Sequence, residues 1–114
     1  MHLDLTDQVA VVTGGAHRVG RAIALELARR GAHLLIHYGG SAAAATETVR
    51  EVKSLGVDAH AVQGDLREPS GVEAIFTALR EHYGKLNILV NSASNFQARP
   101  LLEVTLDDWQ ETLA

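Results

Sequence analysis

The 114 residues include no cysteine, which excludes disulfides, thiolate metal sites and thiol catalysis, and leaves the compartment unassigned by redox chemistry. No apolar run is long enough to span a bilayer. The opening Met1-His2-Leu3-Asp4-Leu5 lacks the apolar core of a signal peptide. No basic tract stands out against a formal net charge of −4, so nucleic acid is not an expected partner. A soluble cytoplasmic protein with no membrane partner is the expectation. The histidines (His2, His17, His33, His37, His60 and His82) show no metal-ligand spacing. His33 and His37 are four apart on a strand, and would meet opposite surroundings only if that strand broke between them. No metal is expected. Aromatics make up only 4% while alanine is abundant, the balance found where small residues pack helices onto a sheet.

The apolar positions alternate between two periods. Residues 8–13 carry Val9-Ala10-Val11-Val12, apolar on both faces as in a central parallel strand. Residues 19–30 read as a helix with Val19, Ile23 and Leu27 on one stripe, ended by Gly31. A second strand follows over 33–38. Ser41 then opens a second helix, with Ala45, Val49, Val52 and Leu55 inward and Gly56 as its stop. The alternation over 57–63 predicts a third strand nearer a sheet edge. Ser70-Gly71-Val72-Glu73 reads as a capping box opening a third helix, with Val72, Phe76 and Leu79 on one face and Gly84 as terminator. Residues 86–90 form a fourth apolar strand. Thr105 to Asp108 marks a last helix start, with Trp109 and Leu113 on its buried face.

The order β-α-β-α-β-α-β-α implies an α/β fold with a parallel sheet and helices on both faces. Right-handed crossovers and the glycine turn after the first strand predict the strand order 3-2-1-4. Such a fold continues past its fourth strand, where Ile88-Leu89-Val90 would otherwise leave an apolar open edge that invites pairing. The expectation is therefore that residues 1–114 are the amino-terminal part of a single dinucleotide-binding domain, cut after the fourth strand and the start of the next helix, and that the protein is a homo-oligomer.

The chemistry is concentrated in Thr13-Gly14-Gly15-Ala16-His17-Arg18-Val19-Gly20. A buried strand that breaks into glycines and re-emerges as a helix is a phosphate-binding turn. Its glycines admit the backbone close to a pyrophosphate, and the helix start supplies N–H donors. An NAD site would place an acid near the end of the second strand, about 20 residues on, to hold the ribose 2′-hydroxyl. Here that region is His37-Tyr38-Gly39-Gly40-Ser41, and the first acid is Glu47. With no carboxylate to repel a phosphate, a fixed cation at Arg18 and helix-start donors at Gly40 and Ser41, NADPH is the expected cofactor. Ser41 as a plain helix cap, and Arg18 as a solvated side chain, are the competing readings.

The spacing T-G-x-x-x-R-x-G resembles the short-chain dehydrogenase/reductases, which usually carry T-G-x-x-x-G-x-G, and the arginine variant resembles their pteridine-reductase branch. Gly64-Asp65-Leu66 and Asn91-Ser92-Ala93-Ser94 extend the resemblance over essentially the whole chain. Ser92 departs from the usual asparagine. Gly40 and His17 stand where that branch often has basic residues, so Arg18 and Ser41 would carry more of the 2′-phosphate. The resemblance implies a Rossmann-like fold and a cofactor site of Gly14, His17, Arg18, Val19, Gly20, Tyr38, Gly40, Ser41, Asp65, Leu66, Asn91, Ala93 and Ser94. Asp65 and Leu66 would flank the adenine, although Asp65 alone reads equally as a turn residue. It further implies a carbonyl or pterin-like substrate lying against Arg18, Ser94 and Phe96. Packing of Phe96 against Leu101 and Leu102 is the alternative. The family's tyrosine acid, four residues before a lysine, has no counterpart: Ala42 and Asn87 follow Tyr38 and Tyr83 at that spacing. The expected product is an NADPH-dependent oxidoreductase whose catalytic segment would fall beyond Ala114, with these 114 residues alone inactive. A non-catalytic nucleotide binder or a self-associating half-fold is the alternative.

Overall fold

The computed structural model describes residues 3–93. Ser94, Phe96 and the helix expected from Thr105 lie outside them. Seven elements alternate: β1 (Val9–Thr13), α1 (Arg18–Arg29), β2 (His33–Tyr38), α2 (Ala42–Ser54), β3 (Ala59–Gln63), α3 (Pro69–His82) and β4 (Ile88–Asn91). The strands form one sheet in the order β3-β2-β1-β4, and every pairing is parallel, with Val11 opposite both Leu35 and Leu89.

Strand periodicity divides the core between two faces. Ala10, Val12, Leu34 and Ile36 meet Ala24, Ala28 and Val52 of α1 and α2. Val9, Val11 and Leu35 meet Val72, Ile75, Phe76 and Leu79 of α3. Leu34, Leu35 and Ile36 are completely buried, each contributing about 1.5–3 kcal/mol. β3 buries only Ala59, its other residues being half-exposed or exposed as on an edge strand, and β4 is half-exposed throughout.

β1 and α1 each start within one residue of the sequence expectation, and three further starts differ for local reasons. α3 begins at Pro69 with Glu68 as its N-cap and no side-chain cap bond, so Ser70 and Glu73 form no capping box. Proline suits the first helical position because its fixed φ fits and its missing N–H is not needed there. β3 begins at Ala59 because the Asp58 N–H turns to the His33 ring, 3.0 Å from Nδ1. β4 begins at Ile88, preceded by Asn87, whose N–H donates to Val9 O and whose Oδ1 accepts the Val9 N–H, both at 2.9 Å.

β2 runs unbroken from His33 to Tyr38. Residues four apart on a strand share a face, so the two histidines stand on one face at opposite ends. At the amino end, His33 and His60 gather with His82 around Tyr83. The Tyr83 hydroxyl donates to Leu34 O at 3.2 Å, and burial pushes its pKa upward.

Candidate functional site

The carboxyl ends of β1, β2 and β3 and the loops that follow them enclose a cleft of about 520 Å³, within the range of small-molecule sites. Its first wall is the β1–α1 turn. Gly14 leaves the strand in the left-handed region, at φ +63°, and a Cβ there would stand 2.9 Å from the Ala93 Cα. The turn is held from three sides. Gly15 N–H donates to His37 O at 3.0 Å, Gly14 N–H donates to His37 Nδ1 at 3.0 Å, and Thr48 of α2 donates to Ala16 O at 3.2 Å.

A second set of bonds ties β1 to β4. The completely buried Thr13 hydroxyl donates to Asn91 Oδ1 at 2.8 Å and accepts the Ser92 N–H at 3.0 Å. Ser92 Oγ donates to Thr13 O. Ser92, the departure from the family motif, is thus absorbed as a clasp between the two strand ends. Gly20 lies directly behind this clasp, against Gly14 O and Ser92 Oγ.

Of the residues expected from sequence, Gly14, His17, Gly40, Asp65, Leu66 and Ala93 line the one cleft together. Arg18 and Val19 stand at the head of α1, Val19 being 67% exposed. Asn91 serves the clasp. Tyr38 contributes its carbonyl, which accepts the Gly64 N–H at 3.1 Å. Ser41 caps α2, accepting the Ala44 N–H at 3.3 Å. A Cβ at Gly39 or Gly40 would meet nothing within 4 Å, so this side of the cleft has room for a bulky group.

Four lining residues were not among those expected: His37, Gly39, Gly64 and Arg67. Arg67 changes the part played by Asp65. Its Nε and Nη2 each lie 3.0 Å from one carboxylate oxygen, and its N–H lies 2.9 Å from Oδ1. These bonds hold the Asp65 carboxyl below its usual range. Among the described residues, the one acid lining the cleft is therefore neutralised by its neighbour. Glu47, the first acid after β2, is exposed and paired with Arg50.

A family model for short chain dehydrogenases matches residues 8–114. The chain belongs to this family. The hydroxynaphthalene reductase of Aspergillus fumigatus is 42% identical over 110 residues, which cover 96% of this chain and 40% of that protein. Among solved structures, the L-sorbose reductase of Gluconobacter frateurii, complexed with NADPH and L-sorbose, superposes with a TM-score of 0.78 at 33% identity, over 82% of this chain and 36% of that one. A dehydrogenase from Burkholderia cenocepacia with bound NADP gives 0.73 at 37% identity, over 80% and 35%. The chain thus spans about 40% of the length of the curated relative it matches. The expected architecture agrees with the observed strand order β3-β2-β1-β4 and with the likeness to these structures.

Proposed function

We propose that this chain forms the cofactor-binding part of an NADPH-dependent short-chain reductase, acting on a carbonyl or C=N bond of a flat fused-ring substrate. The observation that carries the cofactor preference is the charge of the cleft. Among the described lining residues its one acid is neutralised by Arg67, the first acid after β2 is Glu47, which is exposed and paired with Arg50, and Arg18 follows the lining residue His17 at the head of α1. The glycine turn would hold the pyrophosphate, Ser41 and Arg18 the 2′-phosphate, and Leu66 one face of the adenine. The bound nicotinamide would supply the hydride. A pterin is the substrate favoured by the Arg18, Ser94 and Phe96 set. A hydroxynaphthalene, the substrate class in the name of the Aspergillus relative, presents the same flat bicyclic shape, and an aromatic wall suits either.

Arg18 also gives this reading a distinctive test. It has φ +48°, a left-handed conformation costing a non-glycine residue about 1–2 kcal/mol. Arg18→Gly relieves that strain and deletes the cation. In the full chain, the variant is expected to keep its thermal stability while NADPH binding weakens by about tenfold or more, the equivalent of one charge-assisted hydrogen bond. NADH binding should be unchanged. Fluorescence titration with both cofactors checks this, and equal wild-type affinities for NADPH and NADH would overturn the cofactor assignment. Turnover of fused bicyclic ketones against monocyclic ones tests the substrate class.

A further inference from the structure

The residue that joins the two walls of the cleft is His37. β2 lies between β1 and β3 in the sheet, so a side chain at its carboxyl end can reach both the first and the third loop. The His37 side chain does so and is only 3% exposed. On one side Nδ1 faces the Gly14 N–H at 3.0 Å. On the other, Nε2 faces the Gly64 carbonyl oxygen at 2.8 Å. A carbonyl only accepts and an amide N–H only donates, so a single form of the ring satisfies both partners: neutral, with its proton on Nε2.

We propose that neutral His37 is a positioning residue for the cofactor, a rung that sets the separation of the glycine turn and the Gly64–Asp65 loop, and that its protonation releases the turn. The inference rests on the cleft being the cofactor site. A second proton would sit on Nδ1 and point at the Gly14 N–H, placing donor against donor at the residue where the turn begins. Both ring nitrogens are spent on backbone. The charged and titratable groups on the surrounding elements include His17 and Arg18 at the head of α1, Asp65, Arg67 and Glu68 in the β3–α3 connection, and Glu73 on α3, with Asp65 and Arg67 taken up by each other. Burial holds the ring's pKa below its ordinary value, partly opposed by the Gly64 bond. The rung is therefore intact at neutral pH. Because the folded-state pKa is the lower one, the rung's contribution to stability is complete above a pH of about 6.5 and is lost as the pH falls below it.

The test is made on the full chain. Nitrogen-15 NMR of the imidazole is expected to show the Nε2-protonated neutral form at pH 7, and the Gly14 amide resonance should move with the same midpoint as the ring. NADPH affinity should fall by up to tenfold per pH unit below that midpoint. The 2′-phosphate of NADPH itself titrates near a pH of about 6, so NADH is titrated in parallel. In His37→Asn, Oδ1 takes the place of Nδ1 as acceptor without carrying a proton, so the variant should bind at pH 7 with the acid-linked loss removed for both cofactors. An Nδ1-protonated or charged ring at pH 7, a Gly14 amide that ignores the ring, or an unchanged acid loss in His37→Asn would each overturn the proposal. Should the variant not fold, the wild-type NMR titration decides. If neither cofactor binds at any pH, the proposed function fails, while the tautomer and the Gly14 shift still judge the rung.

Discussion

Gly20→Ala is expected to remove cofactor binding and to destabilise the fold by about 2–3 kcal/mol, although alanine is the better helix former by about 1 kcal/mol. The added methyl would press on the Gly14 carbonyl oxygen, lie 2.9 Å from the Gly14 carbonyl carbon and stand 2.5 Å from Ser92 Oγ. Ser92 Oγ could rotate away, but only by giving up its bond to Thr13 O. The Gly14 backbone cannot yield without disturbing both the His37 bond and the contact with Ala93. α1 would have to lift from the turn. Urea unfolding and NADPH titration of the full chain measure the two effects. A variant as stable as the wild type would show that the turn is not packed as described.

Gly71→Ala is expected to act on the opposite wall. Gly71 is buried in the first turn of α3, and a methyl there would meet the Asp65 backbone, 2.6 Å from its carbon and 2.7 Å from its nitrogen, with the carbonyl oxygen nearer still. The loop carrying Asp65 and Leu66 must therefore move. We expect a loss of about 2 kcal/mol in stability and a fall of more than tenfold in NADPH affinity, with the Asp65–Arg67 pair displaced. Gly40→Ala is the matched control, since open space surrounds it, and its unfolding midpoint should not move. If both variants unfold at the wild-type midpoint, α3 does not brace this loop.

The two glycines differ in how far the sequence announced them. Gly20 belongs to a spaced motif at a strand-to-helix junction, so its close approach was legible from one dimension. Gly71 lies inside what read as a capping box, and its neighbour in space is a loop that no local pattern points to. Pro69 was the available signal against that box, because proline at a first helical position moves the N-cap from Ser70 two residues back to Glu68. The sheet order followed from right-handed crossovers together with the glycine turn after the first strand, with Val9 to Val12 reading as a central strand. His37 was harder to recognise. A histidine at the end of an apolar strand reads as a surface residue until β1 and β3 are placed on either side of it. Asp65 was found by its motif, but its engagement with Arg67, two residues on, depends on a loop conformation that spacing does not encode.

The clasp between Thr13 and Asn91 has a consequence for how the cleft is assembled. The glycine turn reaches His37 across 23 residues, whereas Thr13 reaches Asn91 across 78. Closing the longer span costs about 1 kcal/mol more chain entropy. Loop closure alone therefore favours forming the His37 side of the cleft before the Ala93 side. A ligand that touches both sides would bridge the short span and the long one, so cofactor occupancy would be linked to the integrity of the Thr13–Asn91 clasp.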